Sequence, residues 1–65
     1  MRVQYTFANA PKTTRVYDTQ ISLLRYSGLP RPGKPLPSQA EWDRRELRHF
    51  EQEKKKGLIL DYRII

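Results

Sequence analysis

The period of the hydrophobic pattern changes along this chain, and the changes mark its elements. From Arg2 to Phe7 apolar and polar residues alternate, with Val3, Tyr5 and Phe7 on one side and Arg2, Gln4 and Thr6 on the other. That is the pattern of a half-buried strand. Asn9-Ala10-Pro11-Lys12 supplies turn chemistry, and Thr13-Thr14-Arg15-Val16-Tyr17 is rich in β-formers, so the two runs predict a hairpin. The turn carries neither Asn-Gly nor Asp-Gly, which leaves its type open.

Residues 18–28 fit two patterns. Asp18 can cap a short helix through Ile21, Leu24 and Arg25 that ends at Gly28. Equally, Ile21, Leu23 and Arg25 can continue a β-meander, and the unbroken run from Val16-Tyr17 favours that strand or irregular edge. Residues 29–37 (Leu-Pro-Arg-Pro-Gly-Lys-Pro-Leu-Pro) then divide the chain. Proline at this density excludes helix and central strand and predicts an extended connector of polyproline II type.

Residues 38–57 change to helical periodicity. Ser38 and Glu41 form a capping box, Glu41 and Asp43 lie in the positive first turn, Lys54, Lys55 and Lys56 in the negative last turn, and Gly57 supplies a left-handed stop. Ala40, Leu47 and Phe50 form the apolar stripe, with Trp42 well off it, nearer Glu46 and His49. Residues 58–65 return to alternation, with Leu58, Leu60, Tyr62 and Ile64 on the apolar side and Ile59 and Ile65 flanking Asp61 and Arg63 on the other. The economical architecture is one α+β domain spanning residues 1–65: a small antiparallel or mixed sheet from the hairpin region (1–28) and the C-terminal strand (58–65), with the long helix packed on one face. The stripe of Ala40, Leu47 and Phe50 is expected to meet Val3, Tyr5, Phe7, Leu60, Tyr62 and Ile64.

Composition narrows the function. A chain of 65 residues buries only about 60% of its unfolded surface, so partners or self-association contribute to its stability. It has no cysteine, which removes disulfides and thiolate metal sites. The N-terminus alternates and forms no apolar leader core, and no stretch approaches a membrane span, so a cytoplasmic protein is expected. A formal net charge of +6 draws the chain towards nucleic acid, an anionic membrane or an acidic protein face, without choosing among them.

That charge concentrates on the helix. At about 100° per residue, Arg44, Arg45, Arg48, Gln52, Lys55 and Lys56 share one sector, the candidate binding surface. The competing reading is a solvated face whose charges are answered by Glu41 to Arg45 and Glu51 to Lys55 in the favourable i, i+4 order. Arg2, Arg31, Lys34, Trp42 and Arg63 are candidate additional contacts. If the first and last strands are neighbours, Arg2 and Arg63 make the open side of the sheet basic, with Tyr17 and Tyr26 as stacking partners for bases, although packing is the commoner role of such tyrosines. Pro32-Gly33-Lys34-Pro35 beside Arg31 satisfies a P-x-x-P spacing, a common feature of proline-rich linkers.

Catalytic chemistry is thin. His49 is the sole histidine, and Ser22, Ser27 and Ser38 lie in no nucleophile motif. Glu46 and His49 are too few for a zinc site, and no glycine-rich phosphate loop is present. The expectation is a non-enzymatic protein with no cofactor and no metal. A compact, cysteine-free basic chain of this length has the composition of accessory proteins of phages and mobile elements. Its expected role is to inhibit or modulate a nucleic-acid-handling machine by occupying an acidic or nucleoprotein surface. Direct DNA or RNA binding is the alternative, and assembly through the C-terminal strand a further one.

Overall fold

A computed structural model describes residues 1–29, 33 and 35–65. The elements run β1 (Arg2–Phe7), β2 (Arg15–Asp18), α1 (Thr19–Ser27), α2 (Gln39–Lys55) and β3 (Ile59–Ile64). The strands form one antiparallel sheet in the order β2-β1-β3. The hairpin, the long helix and the last strand are therefore as the pattern predicts, and the fold is α+β.

Residues 18–28 depart from the strand reading. Asp18 ends β2 and at once caps α1, its carboxylate accepting the Gln20 N–H at 2.9 Å. Nine residues of helix follow, closed at Gly28 by its N–H to Arg25 O. Thr19 stands at the junction, where its hydroxyl donates to Asp43 Oδ1 of α2 at 2.6 Å. As the first residue of α1 it is fully buried, and its own N–H reaches Met1 O at 2.9 Å. Tertiary contacts overrode an even local preference.

The ends of α2 are locally determined. Ser38 Oγ accepts the Glu41 N–H at 3.2 Å; among the described residues the reciprocal arm of the capping box, from the Glu41 carboxylate, is not formed. At the other end Gly57 takes φ +78°, Gly57 N–H donates to Lys54 O and Leu58 N–H to Glu53 O, both at 3.0 Å. This pair of bonds is a Schellman closure, and it turns the chain directly into β3.

The face assignment of β3 is corrected by a bulge. Thr6 pairs with Asp61 but Phe7 with Ile59, so Leu60 is an extra residue in the ladder. Inserting one residue reverses the inward side of a strand. Ile59, expected on the polar side, is 3% exposed, whereas Leu58 and Leu60 are about half exposed. Ile64 lies opposite Val3 but at the periphery, and it is exposed too.

The core is Val3, Phe50 and Ile59, with Met1, Tyr5, Phe7, Tyr17, Leu47 and Tyr62 packed around it. Phe50 is its centre: Tyr5, Tyr17 and Tyr62 have ring centroids at 5.3, 5.6 and 5.7 Å from it. Ala40, expected on this face, is exposed. Within the connector Gly33 has φ +73°, in the left-handed region, so the segment is not an uninterrupted polyproline II run. Arg31, Lys34 and the P-x-x-P spacing that includes Pro32 lie outside the described residues. Among the described residues no helix is long and apolar enough to cross a membrane.

Candidate functional site

Helix α2 sorts most of its charges by face, the exception being Glu41, which is exposed beside Arg44 and Arg48. Towards the sheet and α1, its carboxylates serve as hydrogen-bond acceptors. Asp43 Oδ1 accepts from Thr19 Oγ1 at 2.6 Å and from Gln39 Nε2 at 2.8 Å, and the Met1 amino group lies 4.0 Å from Oδ2. Burial pushes the Asp43 carboxyl up, but the bonds from Thr19 and Gln39 and the amino-terminal charge outweigh it, so its pKa lies below the ordinary value.

One turn on, Glu46 Oε1 lies 3.0 Å from both the Tyr17 hydroxyl and Ser22 Oγ. Ser22 Oγ also accepts from Tyr17 at 2.6 Å and from Trp42 Nε1 at 3.2 Å. This network ties β2, α1 and α2 together. Burial, aided by the Glu46 charge, raises the Tyr17 phenol above its usual value despite the opposing bond to Ser22. Further along, Glu51 Oε2 accepts from the Tyr62 hydroxyl at 2.7 Å, and Glu53 lies 3.3 Å from His49 Nε2.

The outer face is different. Arg44, Arg45, Arg48, Gln52, Lys55 and Lys56 are all exposed, and the structure brings all six into one surface along the helix. Among the described residues the ion pairs are Met1 to Asp43 and Lys54 to Asp61, and His49 lies beside Glu53. None involves an arginine or lysine of the outer face. The i, i+4 answers expected from Glu41 and Glu51 are not formed, and Glu51 is committed to Tyr62. Arg45 instead holds its guanidinium 5.4 Å above the Trp42 ring. Shallow depressions flank the ridge, one of about 250 Å³ edged by Pro37, Glu41, Arg44 and Arg48, another of about 380 Å³ edged by Trp42, Arg45 and Gln52.

The remaining candidates are dispersed. Trp42 packs inward on α1, its ring centroid 4.8 Å from that of Tyr26 in an edge-on contact. Tyr17 faces the core, so it offers no platform for a base. β1 and β3 are neighbours, and Arg2 and Arg63 share the open sheet face, where Arg63 Nε donates to Gln4 Oε1 at 2.7 Å. Asp18 opposite Arg2 and Asp61 beside Arg63 make that face mixed in sign rather than basic. Among the described residues no group of three His, Cys, Asp or Glu could hold a metal ion.

Sequence reasoning missed a groove of about 290 Å³ between α2 and the hairpin, lined by Tyr5, Phe7, Tyr17 and Phe50 with Glu46 and Glu53 at its rim. Its signal was the aromatic set at Tyr5 and Phe7, read as core, and Tyr17, read as a stacking partner for bases or as packing. No known protein family, curated protein or solved structure matches this chain.

Proposed function

We propose that the chain is a small, non-enzymatic binding protein whose working surface is the outer face of α2. Its target is an acidic or phosphate-bearing surface of a nucleic-acid-handling machine, which it inhibits or modulates by occupation. One observation carries this reading: Arg44, Arg45, Arg48, Lys55 and Lys56 stand exposed on one face with no carboxylate paired to them among the described residues. Arginine's planar fork suits bidentate contact with carboxylate or phosphate, and an unpaired guanidinium needs no internal bond broken to make it.

Direct DNA or RNA binding is the second reading, favoured by Arg45 lying over Trp42, which pairs a cation with a partly exposed ring. The extent of the ridge argues for the first. If all five cations met phosphates, the salt slope on duplex DNA would reach about 4.5, and the mixed sheet face would add little.

The experiment is partner capture from the native host with the wild-type chain and with R44E/R45E/R48E, beside gel shifts on random DNA and RNA across a salt series. The expected result is a protein or nucleoprotein partner retained by the wild type and lost with the triple reversal, and only weak naked-nucleic-acid binding at physiological salt. Equal capture by both chains overturns the assignment of the ridge. Submicromolar binding to naked DNA or RNA transfers it to the second reading.

A further inference from the structure

We propose that the outer edge of β3 is a dimerisation edge, occupied by β3 of a second copy of this chain, antiparallel about Tyr62. The inference does not rest on the role given to α2. β3 is an outer strand of the sheet, and Leu58, Leu60, Ile64 and Ile65 around it are each about half exposed. The other edge is blunted: β2 is four residues long, its Arg15 guanidinium sits 5.2 Å above the Phe7 ring, and its Asp18 is spent as a helix cap.

The backbone fixes which residues of β3 can pair outward. Ile65 N–H donates to Arg2 O, so the alternating residues Arg63 and Asp61 also turn towards β1, and Ile64 and Tyr62 turn away. The Tyr62 N–H shows this directly, since it is bonded to the Asp61 carboxylate at 2.9 Å rather than to β1. An outward-facing residue must meet an outward-facing residue, which restricts antiparallel registers to those separated by two.

Charge then selects one of them. Pairing Tyr62 with the partner's Tyr62 sets Asp61 opposite the partner's Arg63 twice across the dyad. Sliding two residues one way sets Asp61 against the partner's Asp61; sliding two the other way sets Arg63 against the partner's Arg63. Opposite charges across strands stabilise and like charges directly opposed destabilise. The segment Asp61-Tyr62-Arg63 is thus self-complementary about its centre, which is what a two-fold interface requires and a foreign strand does not. In the free chain Asp61 covers the Tyr62 N–H and pairs with Lys54 at 3.3 Å; in the dimer the partner's backbone takes that N–H and releases Asp61 to Arg63. Edge pairing forms one continuous sheet with both copies of α2 on the same side, so the cationic ridges lie next to each other.

Sedimentation equilibrium of the full chain from about 10 µM to about 1 mM tests this, the range matching an interface smaller than the standard ~1,600 Å². The mass is expected to rise from 7.8 kDa towards twice that value. D61R and R63D are each expected to weaken association about tenfold or more, because each opposes like charges twice, and D61R/R63D together restore it. Circular dichroism checks folding, and R63D, which touches neither Lys54 nor the Tyr62 N–H, serves if D61R fails to fold. A monomer over the whole range, a dimer indifferent to both reversals, or no rescue by the double swap overturns the proposal.

Discussion

On the inner face of α2, Asp43, Glu46 and Glu51 each accept a hydrogen bond from a hydroxyl on another element. On its outer face, Arg44, Arg48, Lys55 and Lys56 carry the opposite charge and form no ion pair among the described residues. The difference has a physical origin in size. Among the described residues the buried hydrophobic side chains are Val3, Phe50 and Ile59; so small a core does not hold the sheet and helices by hydrophobic contact alone, and Asp43 and Glu46 are drawn inward as acceptors that fix α1 and β2 on α2. The bases have no such use inside and remain on the surface, free to meet a partner. The inner face should therefore govern stability and the outer face binding.

The largest effect expected on this division is at Phe50. It is 7% exposed and touches three tyrosine rings, so F50A should cost about 3–5 kcal/mol. Against the small total stability of a chain this size, that leaves much of the population unfolded at 37 °C. Urea titration followed by circular dichroism measures it. Binding should fall only as far as the folded fraction falls, and a binding loss at full folding would show that the faces are not separate.

A smaller, pH-dependent effect belongs to Asp43. Its folded pKa lies below the unfolded value, so the stability it provides is fully present above the unfolded pKa near 3.9 and is lost as pH falls through the folded one. D43N should flatten part of the acid limb of stability against pH. The slope that survives belongs in part to Asp61, whose carboxyl is held down first by the Tyr62 N–H and then by Lys54. An unchanged acid limb in D43N would mean that the contacts to Thr19 and Gln39 do not bias the carboxylate.

These two faces differ in how far the sequence discloses them. The termini of α2 were legible because capping is local: Ser38 and Gly57 act on groups within a few residues of themselves. The outer ridge was legible for the same reason, since helical spacing alone gathers it. The inner polar network was not, because Thr19 and Asp43, or Ser22 and Trp42, meet only through the tertiary fold. α1 was one of the two readings of residues 18–28, with Asp18 as its cap and Gly28 as its end, but these local signals did not outweigh the unbroken run from Val16-Tyr17. The inward side of β3 was misread through one inserted residue at Leu60, which period-two counting cannot detect without the partner strand. Trp42 fell off the apolar stripe with no packing partner assigned, because its contacts lie on α1, a segment where the strand reading was favoured.

The smallest effect is the sharpest check of the comparison, and its sign can be derived. Arg44 and Arg48 are one helical turn apart, both exposed and neither ion-paired among the described residues. Like charges at this spacing destabilise a helix by about 0.2–0.5 kcal/mol, and glutamine has nearly the helix propensity of arginine. R44Q/R48Q should therefore leave the melting temperature unchanged or raise it slightly at low salt, and the gain should vanish as salt screens the repulsion. Partner capture should weaken in the same variant. A destabilisation of more than about 1 kcal/mol, outside the usual range for free surface positions, would mean that these guanidiniums hold the fold together. The outer face of α2 would then be a second structural face.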